Sequence, residues 1–110
     1  MKTYTVKITR QAKEHLEGIR SYISNELLAP DAAKNTLAIL RREIKSLSQM
    51  PDRIKLTEEE PWRSEGIHRM RVKNYYVYFW IDEKYSKVQV TSVIYVGREQ
   101  TAQLEQMEMG

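Results

Sequence analysis

IHRMRVKNYYVYFWID, residues Ile67 to Asp82, is the stretch on which the reading of this chain turns. It opens with arginine at alternate positions, Arg69 and Arg71, and reaches Lys73-Asn74, after which five of six residues are aromatic. Side chains on a strand alternate between faces. Ile67, Arg69, Arg71 and Lys73 therefore share one side of a first strand, Ile67–Lys73, and His68, Met70 and Val72 the other. Lys73-Asn74 suits a tight hairpin turn. The returning strand, Tyr75–Asp82, points Val77, Phe79 and Ile81 inward and Tyr76, Tyr78 and Trp80 outward. After the looser turn EKYS, a third strand, Lys87–Val96, sets Val88, Val90, Ser92, Ile94 and Val96 toward the core. Gln89, Thr91, Val93 and Tyr95 take its far side. An antiparallel meander is the economical topology for three such strands.

Upstream, YTVKI sets Tyr4, Val6 and Ile8 against Thr5 and Lys7 and reads as another strand. Thr9 is placed to cap the helix that follows, where Ala12, Leu16, Ile19, Ile23 and Leu27 make one apolar stripe. Pro30 interrupts the pattern and suits the first turn of a second helix. Ala33, Leu37, Leu40, Ile44 and Leu47 form the stripe of that helix, and Pro51 marks its end. Two amphipathic helices joined so closely pack as an antiparallel hairpin. Asp52 to Gly66, with the acidic run Glu58-Glu59-Glu60, reads as a solvated loop. The order strand, helix, helix, three strands predicts an α+β fold. The helical hairpin covers one face of a small, mainly antiparallel sheet and leaves the other face free. Residues 1–98 form a single domain, and 99–110 a tail that is a short helix or mobile.

With 41% hydrophobic and 30% charged residues, the 110-residue chain has the composition of a globular protein. It contains no apolar run of the ~20 residues that span a bilayer, and MKTYTVKITR lacks the apolar segment of a signal peptide. A soluble cytoplasmic protein with no membrane partner is expected. The lack of cysteine excludes disulfides and thiolate zinc sites. His15 and His68 are too few and too separated to suggest a metal centre, so no cofactor is expected. The net charge of +3 is modest, but Trp62–Lys73 concentrates Arg63, Arg69, Arg71 and Lys73 against Glu65 alone. Guanidinium groups grip phosphates and aromatic rings stack on unpaired bases. Arg69 and Arg71 beside Tyr76 and Tyr78 thus suit single-stranded RNA. The same residues also suit a solvated strand face, whose cation–π pairs need no ligand.

ITRQAKEHL entering a helix, LSQMPDR closing the second helix, GIHRMRVKNYYVYFWID and VIYVGRE occur in the order and spacing of the RelE/ParE superfamily. The chain resembles these toxins of bacterial type II toxin–antitoxin modules over nearly its whole length. The resemblance implies the fold above and a growth inhibitor silenced by a cognate antitoxin, whose C-terminal segment wraps around it. One branch cleaves messenger RNA on the ribosome without a metal, using the ribose 2′-hydroxyl as nucleophile and basic side chains to support the charge. On that pattern Arg69 and Arg71 match a basic pair on the equivalent strand, and Arg98 matches the basic residue after the last strand. These three are the catalytic candidates, with Lys73, Tyr76, Tyr78 and Arg63 as RNA-binding candidates.

Two positions depart from the ribonuclease pattern. Tyr76 stands where that branch usually carries a phosphate-clamping arginine, a group whose removal costs ~3–4 kcal/mol of transition-state stabilisation. The tail TAQLEQMEMG offers no aromatic residue or histidine. The ParE branch, which inhibits DNA gyrase and hydrolyses nothing, tolerates the loss of that phosphate clamp. Ribosome-dependent mRNA cleavage is the leading expectation, with ribosome and mRNA as partners. A ParE-like gyrase inhibitor and an inactive family member kept as a binding module are the alternatives.

Overall fold

Thr9 joins the sheet to the helical layer. Its backbone is extended at the end of β1 (Thr5–Ile8), and its hydroxyl accepts the Ala12 N–H at 3.2 Å, satisfying an orphan donor of α1 (Arg10–Ser21). The computed structural model describes residues 2–97 together with Leu104, Glu105, Met107 and Met109. After α1 the helix widens into a π-helical turn, Tyr22–Glu26, where the Leu27 N–H reaches the Tyr22 carbonyl at 3.1 Å. The extra residue in that turn rotates the apolar stripe off the core. Ile23 remains buried, but Leu27 is 56% exposed, so the stripe expected to run through Leu27 ends one turn early. Leu28 follows at φ 53° and is 82% exposed. Pro30 opens α2 (Pro30–Lys45), which buries Ala33, Leu37, Leu40 and Ile44.

The sheet has the order β1-β4-β3-β2, with β2 His68–Val72, β3 Tyr75–Asp82 and β4 Lys87–Tyr95. The meander is antiparallel, as expected, and β1 joins it in parallel beside β4, so the sheet is mixed. α1 packs over β4, and α2 reaches β2. Between the layers lies a core that includes Leu16, Leu37, Leu40, Ile44, Met70, Val72, Val77, Phe79, Val88, Val90 and Val93.

Val93 was expected on the far side of β4, and its place in this core has a local cause. Tyr78 pairs with Ser92 but its neighbour Phe79 pairs with Val90, which leaves Thr91 as an extra residue in a β-bulge. One inserted residue reverses the faces of everything beyond it. Val88 and Val90 face the helices before the bulge and Val93 does so after it, whereas Ile94 crosses to the other face. The Thr91 hydroxyl donates to the Tyr78 carbonyl at 3.3 Å, and the Thr91 carbonyl accepts from Thr9 at 3.4 Å.

The second face of the sheet is covered, contrary to the free face read from the sequence. Trp62, Ile67, Tyr78, Ile94 and Leu104 form a second buried cluster, with Tyr76, Trp80 and Met107 packed against it. The covering comes from the segment before β2. The Arg69 N–H donates to the Lys55 carbonyl at 3.1 Å and the Thr57 N–H to the Ile67 carbonyl at 2.8 Å, lining the edge of β2. The chain then turns back over the sheet, with the Ile67 N–H bonded to the Trp62 carbonyl at 3.0 Å. From the tail, Leu104 and Glu105 are helical, and the Met109 carbonyl accepts the Trp80 indole N–H at 2.6 Å. None of the helices among the described residues is long and apolar enough to cross a membrane.

Candidate functional site

Alternation on β2 and β3 places Arg69 opposite Tyr78 and Arg71 opposite Tyr76 on the second face, as the sequence predicts. Both guanidiniums converge on one ring. The Arg69 carbon centre lies 4.3 Å from the Tyr76 ring centroid and that of Arg71 5.7 Å. Arg71 is exposed and donates through Nε to the Lys73 carbonyl at 2.6 Å, which fixes its fork at the hairpin end. Lys73 is exposed at φ 52°, and Arg63, also exposed, donates to the Thr57 carbonyl at 3.3 Å. Arg98 lies outside the described residues.

Arg69 is engaged differently. It is partly buried and pairs with Glu59 at 3.4 Å. Glu59 also accepts from the Tyr78 hydroxyl at 3.3 Å and from the Thr57 hydroxyl. One carboxylate thus ties the covering segment to both strands of the hairpin. Sequence reasoning assigned Glu59 to a solvated acidic run. An acidic triplet shortly before a strand of alternating arginines was the signal available. Tyr78 itself is fully buried, so its ring is not the open stacking surface expected of it, whereas Tyr76 keeps partial exposure.

Burial pushes the Tyr78 phenol well above its ordinary range, the Glu59 charge adds to that, and Arg69 opposes it. The folded chain therefore keeps a proton that the unfolded chain releases above about pH 10. The stability this contributes is complete below that pH and declines above it, by about 1.4 kcal/mol per pH unit for one proton. Urea denaturation from about pH 9 to 11 is expected to show a shallower decline for Tyr78→Phe than for the parent chain. Equal slopes would mean that the phenol ionises freely in the folded state.

Both histidines serve structure elsewhere. His68 Nδ1 lies 2.7 Å from the Ile54 carbonyl, and its ring stacks on Phe79 at 5.0 Å. His15 Nδ1 accepts the Val93 N–H at 3.1 Å, beside the bulge. The described residues contain no cluster of side chains suited to hold a metal ion. The cationic face can therefore bind an anion, but it offers no imidazole to move a proton there.

A second feature lies at the other side of the hairpin turn. A groove of about 760 Å³ runs between the π-helical turn and the ends of β3 and β4, lined in part by Tyr22, Leu27, Lys73, Tyr75 and Tyr95. Tyr75 and Tyr95 meet edge to face at 5.8 Å, and burial raises the Tyr75 phenol. Exposed Tyr22, Leu27 and Tyr95 give its rim an apolar character, the kind of surface that marks a protein-binding site.

Residues 6–101 match the model of a family described as the ParE toxin of the type II toxin–antitoxin system parDE. Among solved structures, a chain of the chromosomal ParDE system of P. aeruginosa is similar with a TM-score of 0.71 and 18% identity, over 87% of this chain and 99% of that one. A chain of the M. tuberculosis RelBE2 toxin–antitoxin complex is similar with a TM-score of 0.59 and 22% identity, over 84% and 98%. A mutant of the E. coli toxin RelE in the free state gives 0.62 and 12%, over 94% and 90%. These likenesses are ones of fold. No curated protein matches the sequence.

Proposed function

Because the chain belongs to the ParE toxin family of type II toxin–antitoxin systems, we propose that it arrests growth by binding DNA gyrase, not by cutting RNA. The observation that carries this reading is the engagement of Arg69. Its charge is met by Glu59 of the covering segment, and it lies over Tyr76, the residue that the sequence resemblance sets where the ribonucleases place an arginine. A ribonuclease needs preorganised cations aimed at the developing phosphorane charge and a base for the 2′-hydroxyl. Here one arginine is already paired and the neighbouring phenol is buried and protonated. The aromatic groove instead has the composition of a protein interface, where tyrosines supply rigid contact area.

In this reading a cognate antitoxin keeps the chain silent by covering surface that the target would use. Inducing the chain without an antitoxin is expected to stop growth and produce gyrase-linked DNA breaks, with transcript 5′ ends unchanged. Co-expression of the antitoxin would restore growth. Transcript cuts at in-frame codon positions, with the DNA left intact, would sink the proposal, and an absence of any growth defect would leave a binding module.

Ribosome-dependent mRNA cleavage stands as the second reading, because Arg71 remains exposed over Tyr76 and Lys73 is exposed at the hairpin turn. In that case Arg69, Arg71 and Arg98 would support the reaction, with Lys73, Arg63 and Tyr76 holding the strand. Arg71→Gln would then abolish the codon-linked cuts, whereas in the gyrase reading no such cuts exist to abolish.

A further inference from the structure

We infer that the outer surface of the helical layer, opposite the sheet, is a docking surface for the phosphate backbone of duplex DNA. The choice of DNA rests on the gyrase reading; the cationic surface itself does not. With Leu37, Leu40 and Ile44 buried, α2 turns Lys34, Arg41, Arg42 and Lys45 outward, all exposed. Lys34, Arg41 and Lys45 follow one another at helical spacings and form a single row about 16 Å long. The antiparallel hairpin brings the first turn of α1 alongside the last turns of α2, so the exposed Lys13 extends that surface.

Two observations separate this surface from an ordinary solvated face. Of Lys13, Lys34, Arg41, Arg42 and Lys45, Arg42 alone has an ion-pair partner among the described residues, Glu43 at 3.9 Å. Arg41 is near enough to Glu17 to help lower its pKa, but Glu17 is engaged by Arg20. The second is placement against the helix dipole. The first turn of α1 contains no acidic residue and carries Lys13, where the positive helix end makes a cation unfavourable. Arg42 and Lys45 at the end of α2 suit its dipole, but Lys13 does not. A bound polyanion offsets that repulsion.

The row presents no aromatic side chain between its cations, only residues such as Ala38. Single strands are held by base stacking on aromatic platforms, and interfacial membrane helices carry large apolar residues among their cations. A straight row with neither fits the evenly spaced phosphates of a duplex. The sheet face, with Tyr76 among its arginines, has a different character and lies on the opposite side of the molecule.

The test is fluorescence anisotropy of the intact chain with a short labelled DNA duplex, without gyrase, over a range of salt. Neutralising about four phosphates predicts a roughly hundredfold loss of affinity between about 50 and 200 mM salt. The triple variant Arg41→Gln, Arg42→Gln, Lys45→Gln is expected to bind at least tenfold more weakly at low salt and to flatten the salt dependence. Its melting temperature should fall by only a few degrees, since all three side chains are exposed and the loss is limited to the favourable charges of Arg42 and Lys45 at the helix end. Arg71→Gln with Lys73→Gln is expected to leave duplex binding unchanged. The inference is overturned if the triple variant binds like the parent or if binding is lost instead in the sheet-face variant. It is overturned equally if an RNA duplex binds more tightly than DNA at every salt, or if anionic vesicles bind and DNA does not. Gyrase-linked breaks without duplex binding would refute this surface and leave the gyrase reading standing.

Discussion

Phe79→Ala is expected to destabilise the chain by about 3–5 kcal/mol, the range for emptying a large aromatic site in a packed core. Phe79 has no exposure, lies flat on the His68 ring with an interplanar angle of 9°, and faces Val90 across the sheet. It sits immediately beside the β-bulge, where the backbone has little freedom to close over a void. A domain of this size is stable by about 5–15 kcal/mol in total, so the melting temperature should fall by roughly 15–25 °C. Phe79→Leu, which keeps most of the volume, should cost about 1.5 kcal/mol or less. Thermal melts followed by circular dichroism would measure both. A loss below about 1 kcal/mol for the alanine variant would contradict the assigned face of β3.

Trp62→Ala is expected to have a comparable cost, about 3–5 kcal/mol at the site, with a different distribution. Trp62 is 7% exposed and holds the covering segment on the second cluster with Ile67, Tyr78 and Ile94. The helix–sheet core shares none of these residues. The loss should therefore appear first as local opening of the segment from Thr57 to Gly66, ahead of global unfolding. Hydrogen exchange at the Arg63 and Ile67 amides, bonded to the Glu59 and Trp62 carbonyls, is expected to speed up strongly. Amides of Val77 and Phe79 should change little under native conditions. Opening also withdraws Glu59 from Arg69, which leaves the sheet-face guanidinium without its internal carboxylate. If exchange rises uniformly across the chain, the covering segment is not a separable unit.

The sequence carried the helical hairpin and the β2–β3 pairing because both depend on strict periodicity. Arg69 and Arg71 against Met70 and Val72 leave one admissible phase, and the pairing with Tyr78 and Tyr76 follows from a short turn. The bulge was also written in the sequence, as a change of valine spacing from Val88 and Val90 to Val93. A fixed period of two conceals such a step. The adjacency of the candidate site was thus readable, but its exposure was not. Alternation tells which side a residue faces, whereas coverage depends on what packs there. The sign of coverage was Trp62 in an otherwise polar stretch, an indole too large to leave idle in solvent. The π-helical turn had no such sign, since Leu27 continues the helical spacing in sequence and leaves it only when one turn widens.

The extra residue at Thr91 also acts as a key for strand alignment. Sliding β4 against β3 by one position would drive Val93 out of the helix-side core and drag Thr91 from its bonds with both Tyr78 and Thr9. A uniformly alternating strand can trade one offset for another at modest cost, but a strand with a built-in step has a single fit. Chain refolded from denaturant should regain one register, without a population of shifted sheets.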